Sequence, residues 1–80
     1  MPGGRTRGEV IAAALARWIG PDTARAVVRA FCDRVLGCRP DQIEPGDVPR
    51  LLDALRPMLR TLLGHAPAEH VLAELRETLR

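Results

Sequence analysis

Residues 6–21, TRGEVIAAALARWIGP, hold a helix start, a helix body and a helix stop in one run. Thr6 and Glu9 stand three positions apart, the spacing at which each side chain accepts a hydrogen bond from the other's backbone N–H. Val10, Ile11, Ala14, Leu15, Trp18 and Ile19 then recur at three- and four-residue intervals, the period of an α-helix. Gly20 stops the run, and Pro21 suits the first turn of a following helix, where its missing N–H costs nothing. The stretch predicts a helix over 7–19 with a second one directly behind it.

Working outward, Ala24, Val27, Val28, Phe31 and Val35 make one stripe and predict a helix over 21–36, stopped by Gly37. Residues 38–47, with Pro40, Pro45 and Gly46, read as a connection in which Ile43 is the one apolar anchor. Asp47 is placed to cap a third helix over 47–63, leucine-rich, with Pro57 removing the hydrogen bond to the Asp53 carbonyl and kinking the axis. A fourth helix is expected over 67–79, carrying Ala68, Val71, Leu72, Leu75 and Leu79. No stretch alternates with period two. The reading is an all-α, single compact four-helix domain over 7–80, behind a flexible N-terminal lead-in at 1–6.

The chain has 80 residues, enough for one thin core and no second domain. With 46% apolar residues it is too hydrophobic for a disordered tail. Ser, Asn, Lys and Tyr are absent, which removes a serine nucleophile, a catalytic lysine and a tyrosine acid. Twelve arginines without one lysine, beside abundant Ala and Gly, point to a GC-rich bacterial genome. The run Val10–Ala16 behind Arg5 and Arg7 is too short, and too closely bounded by Glu9 and Arg17, to read as a secretory signal. No run approaches the ~18 apolar residues that span a bilayer, and two cysteines without a disulfide framework suit a reducing compartment. The expected location is cytoplasmic, with no membrane.

Catalysis and metal binding find little support. Cys32, Cys38, His65 and His70 are the only soft-metal candidates, and their spacing, C-x5-C, 26 residues, then H-x4-H, is not that of a zinc finger. His65 precedes Pro67 and is expected outside the helix that holds His70, so the pair shares no face. Cys38 follows a helix C-terminus, whose dipole disfavours a thiolate. Asp41 with Glu44, and Glu74 with Glu77, fall in a loop or on a solvated face. The expectation is no enzyme, no cofactor and no metal.

The apolar surface carries the functional reading. The stripe on the fourth helix spans about 100°, on the third about 140° and on the first about 180°, with alanines filling most of the rest. A helix so apolar is either central or partly an interface. Trp18 and Phe31 are expected in the core. The flank Ile11, Leu15 and Ile19, with Met58 and Leu63 of the third helix, is the candidate partner-binding surface. The partner would be a second copy, since two-fold homodimers dominate soluble assemblies, or a larger bacterial protein. Residues 1–40 hold seven arginines against three acids, and residues 41–80 five against seven. That polarity favours head-to-tail or antiparallel pairing.

Nucleic-acid binding is the alternative, through Arg5, Arg7, Arg25, Arg29 and Arg50, although the basic face is thinner than such proteins usually carry. Arg29 is also placed to pair with Asp33 one turn on. In rhythm and composition, the Gly20-Pro21 break, the loop Pro40 to Pro49 and the leucine-rich third helix resemble small helical accessory modules of bacterial multidomain signalling proteins. That resemblance implies a non-enzymatic interaction or regulatory role and assigns no residue a function.

Overall fold

The punctuation around the first helix is realised atom by atom. In a computed structural model, which describes residues 5–79, α1 spans Arg7–Ile19. The Thr6 N–H donates to Glu9 Oε1 at 2.8 Å, and the Glu9 N–H donates to Thr6 Oγ1 at 3.2 Å. Helices α2 (Pro21–Phe31), α3 (Val48–Leu63) and α4 (His65–Thr78) follow, and the described residues contain no strand. The domain is all-α with four helices, as the periodicity predicts. Of the lead-in expected over 1–6, residues 1–4 lie outside the described residues, and Thr6 is part of the α1 cap.

Two of the three inter-helix links are a single glycine. Gly20 (φ 88°, ψ 155°) joins α1 to α2, and Gly64 (φ 91°, ψ 165°) joins α3 to α4. This backbone region is essentially closed to side-chain-bearing residues, so the chain turns there because a Cβ is missing. The Gly64 corner lets α4 begin at His65, two residues before the expected start. Pro67 then sits third in the helix, within the first turn, whose N–H groups have no intrahelical partner. His65 and His70 therefore lie on the same helix, contrary to the sequence reading.

The expected second helix divides. Past Phe31 the backbone widens into a π-helical segment over Cys32–Leu36, closed by Gly37 N–H to Asp33 O at 3.2 Å and Cys38 N–H to Cys32 O at 3.3 Å. The connection behind it is also more ordered than its prolines suggest. Two 3-10 turns, Pro40–Gln42 and Pro45–Asp47, are each closed by a side chain reaching back. Arg39 N–H donates to Gln42 Oε1 at 3.1 Å, and Glu44 N–H donates to Asp47 Oδ2 at 3.1 Å. Asp47 thus closes the turn and, through its other oxygen, pairs with Arg50 at 3.4 Å instead of capping α3 with its side chain. Helix α3 runs through Pro57 as one element.

The core forms from Ile11 and Leu15 of α1, Ala24 and Val28 of α2, Leu51, Leu52, Leu55 and Leu59 of α3, and Val71, Leu72 and Leu75 of α4. Cys32 and the loop anchor Ile43 complete it. Helix α1 touches α2, α4 and the Pro40–Gln42 turn, so three elements cover its apolar circumference. The radius of gyration is 11.6 Å, which matches the value of about 11.6 Å for a compact chain this long. The accessible area of 4966 Å² is close to the ~4,800 Å² typical of this mass.

Candidate functional site

The expected interface on α1 is mostly core. Ile11 and Leu15 are 0% exposed, sealed by the other helices, and neither is available to a second chain in the folded state. Ile19, Met58 and Leu63 are half-buried and pack against the same core. What stays outside is different: Trp18 is 45% exposed and Leu62 is 54% exposed. Phe31 is half-buried beneath the Arg34 guanidinium, 5.7 Å from the ring centroid. Trp18 lies near the middle of the α1 stripe by angle and is nonetheless left out of the core. It belongs to the last turn, where it borders a shallow recess with Arg17, His70 and Glu74. A helical wheel resolves angle and is blind to where a neighbouring helix ends.

An open concave surface lies elsewhere, between α1 and α2. Gly8, Ala12 and Ala16 recur four residues apart on α1, with the exposed Ala13 beside them. Pro21, Arg25, Val28 and Arg29 face them from α2, and Pro40 closes one end. Side chains this short cannot fill the seam between two helices, and a groove of about 460 Å³ remains. Its depth depends on a close approach. A Cβ at Gly8 would stand 2.5 Å from the Pro40 carbonyl oxygen and 2.6 Å from the Pro40 Cβ, so only glycine lets the turn settle onto α1.

Three of the five arginines read as anion-binding candidates meet at this groove: Arg5, Arg25 and Arg29. Arg25 also pairs with Asp22 at 2.7 Å, one turn back on α2. Arg29 makes no ion pair among the described residues; the pairing with Asp33 that its spacing allows is not formed. The other two arginines are used differently. Arg7 is half-buried and donates from Nη1 to the Ile43 carbonyl at 3.2 Å, tying α1 to the loop. Arg50 is held by Asp47 at the start of α3, outside the groove. Glu9 is the one acid on the groove rim. Its backbone and side-chain hydrogen bonds with Thr6 hold its carboxyl below the usual range, helped by the Arg5 charge, so it stays ionised at neutral pH.

The remaining charged groups serve the scaffold. Glu69 lies between Arg56 (3.1 Å) and Arg60 (3.0 Å), joining α4 to α3. Burial raises its pKa, but the Arg60 hydrogen bond and the charges of Arg56, Arg60 and His65 outweigh that and leave it below the ordinary value. Glu74 is held low chiefly by its hydrogen bond from Arg17, which joins α4 to α1. Burial, with Cys38 nearby, pushes the Cys32 thiol up to about 11, so it remains a protonated core side chain at neutral pH. Among the described residues, no three His, Cys, Asp or Glu side chains converge as metal ligands would, and no helix is long and apolar enough to cross a membrane.

No protein-family model matches this chain, and no curated protein or solved structure matches it. The small-residue floor was legible as Gly8, Ala12 and Ala16 at four-residue spacing. That pattern is faint on a helical wheel because small residues give a weak hydrophobic signal.

Proposed function

We propose that this chain is a non-enzymatic protein–protein interaction or regulatory module, either homodimeric or docked as a small subunit on a larger bacterial protein. The observation that carries the reading is Trp18. It is a large aromatic side chain kept 45% exposed beside a core that is otherwise complete, with Leu62 the other large apolar residue left out. Tryptophan is the residue type most enriched where interfaces concentrate their binding energy. Half-buried Ile19, Met58 and Leu63 would add apolar area once a partner covers them. The free thiols of Cys32 and Cys38 support the cytoplasm as its compartment.

Light scattering on the purified chain tests the homodimeric form. The expected mass is twice 8.8 kDa, falling to 8.8 kDa in Trp18→Ala with the helical circular dichroism retained. A wild-type mass of 8.8 kDa at every concentration removes the homodimer and leaves the docked subunit.

A weak arginine-mediated nucleic-acid-binding protein is the second reading, favoured by the meeting of Arg5, Arg25 and Arg29 at one groove. Titration of a random DNA duplex at low and high salt decides it, because phosphate contacts lose affinity steeply as counterions are added.

A further inference from the structure

The geometry points to the α1–α2 groove as the docking site for an acidic helical segment of a partner protein. This rests on the reading of the chain as an interaction module and names the chemistry that one of its surfaces would recognise.

The floor and the rim ask for different things, and one ligand class answers both. Exposed Ala13 and half-buried Ala16 leave only methyl groups on this part of α1, so an incoming helix can bring its backbone close; Gly8 lies beneath Pro40 and Ala12 is buried at the base of the groove. Past Pro40 the floor runs from Ala12 to Ala16, about 6 Å, so it meets one turn of a short helical segment. A floor of methyl groups gains by covering apolar atoms, and extended phosphates would leave it bare. The rim then selects by charge. Arg25 and Arg29 stand four residues apart on α2, so their side chains rise from the same face about 6 Å apart. Two carboxylates one turn apart on the docked helix match that interval, and Arg5 offers a third cation at the groove end. Arg29 makes no ion pair among the described residues, not even with Asp33 one turn on, so a partner carboxylate would meet a guanidinium that no acid holds. Ionised Glu9 on the same rim repels a phosphate backbone, which carries charge along its whole length, more than a helix that places two carboxylates away from it.

The test uses the intact 80-residue chain and a synthetic peptide of about 14 residues, alanine-rich, with two glutamates four apart and a leucine between them. A second peptide replaces both glutamates with lysine, and a random DNA duplex is the third probe. Affinity is read by fluorescence anisotropy and location by amide chemical shifts. The glutamate peptide is expected to bind and to move the amides of Ala12, Ala13, Ala16, Arg25 and Arg29. Its affinity should fall about tenfold or more between low and high salt, as surface ion pairs require. Arg29→Glu, and Ala13→Phe, which fills the groove from an exposed position, should each weaken binding about tenfold while the circular dichroism stays native. Arg34→Glu, outside the groove, should leave it unchanged. Absence of binding, equal binding of the lysine peptide, or shifts confined to the Trp18 end overturns the proposal. Tighter binding of the duplex at the same amides also overturns it, in favour of a phosphate ligand. Because the homodimer test acts through Trp18 and this one through Ala13 and Arg29, either can fail while the other stands.

Discussion

The α1–α2 pair and the α3–α4 pair turn the same glycine corner, yet one seam is open and the other is full. Between α3 and α4 the facing positions are Leu55, Leu59, Leu72 and Leu75, all at most 1% exposed, with Glu69 gripped by Arg56 and Arg60 over the top. Between α1 and α2 the small residues Gly8, Ala12, Ala13 and Ala16 line the groove, and arginines line the opening without closing it. Side-chain volume accounts for the difference. Leucines fill the space between two helices and bury it, while alanines leave room that another molecule can use. The lesson is a division of labour: α3 and α4 hold the fold together, and α1 and α2 offer a surface.

If that division holds, the largest loss should come from emptying the full seam. Leu55→Ala or Leu59→Ala is expected to cost about 2–5 kcal/mol, read as a shift in the urea midpoint, since a cavity would open among side chains that are 0% exposed. A loss below about 1 kcal/mol would mean that the leucines are loosely packed and that the contrast between seams is overstated. Gly8→Ala tests the open seam from its closest approach. Its Cβ would strike backbone atoms of Pro40, so destabilisation of about 1–3 kcal/mol is expected, together with movement of the Pro40–Gln42 turn visible in its amide shifts.

The corners come next. Gly20→Ala and Gly64→Ala should each cost about 1–3 kcal/mol, with similar values at the two sites. At Gly20 a Cβ would meet nothing within 4 Å, so its cost measures backbone conformation alone. Markedly unequal losses would show that the two pairs do not share one corner mechanism.

The smallest effect is electrostatic. Glu9, Glu69 and Glu74 all have folded pKa values below the ordinary 4.5, so each stabilises the fold while ionised and loses that contribution on protonation. The melting temperature should hold steady from neutral pH down to about 5 and fall as pH drops through 4.5 and below. Glu69→Gln should flatten the acid limb on the α3–α4 side and Glu74→Gln on the α1–α4 side. An acid limb unchanged in both variants would assign the loss to other carboxylates.

Much of this architecture was written in local chemistry. The Thr6–Glu9 cap, the glycines at 20 and 64 and the leucine period of α3 act between residues close in the chain, so four helices and their order could be read without coordinates. Errors at element boundaries arose where local signals competed. Pro67 looked like a helix start because proline favours the first turn, while the turn had already begun at Gly64. Asp47 looked like a cap and was drawn into the Pro45–Asp47 turn by the Glu44 N–H.

The candidate site was only half legible. Arg5, Arg25 and Arg29 are three of the five arginines the sequence offers as candidates, but nothing local separates them from Arg50 or from Arg7, which reaches 36 positions along the chain to the Ile43 carbonyl. The interface expected at Ile11 and Leu15 failed for the same reason: the wheel measured how much of α1 is apolar, not what distant segments such as α4 bring against it. By itself the sequence determined that there would be four helices, where their corners lie and which stripes are apolar, because hydrogen bonds and side-chain period act within a few residues. Only the tertiary structure decided which stripe is sealed, which tryptophan is left outside and which arginines share a groove, because covering a surface depends on segments far apart in the chain arriving at the same place.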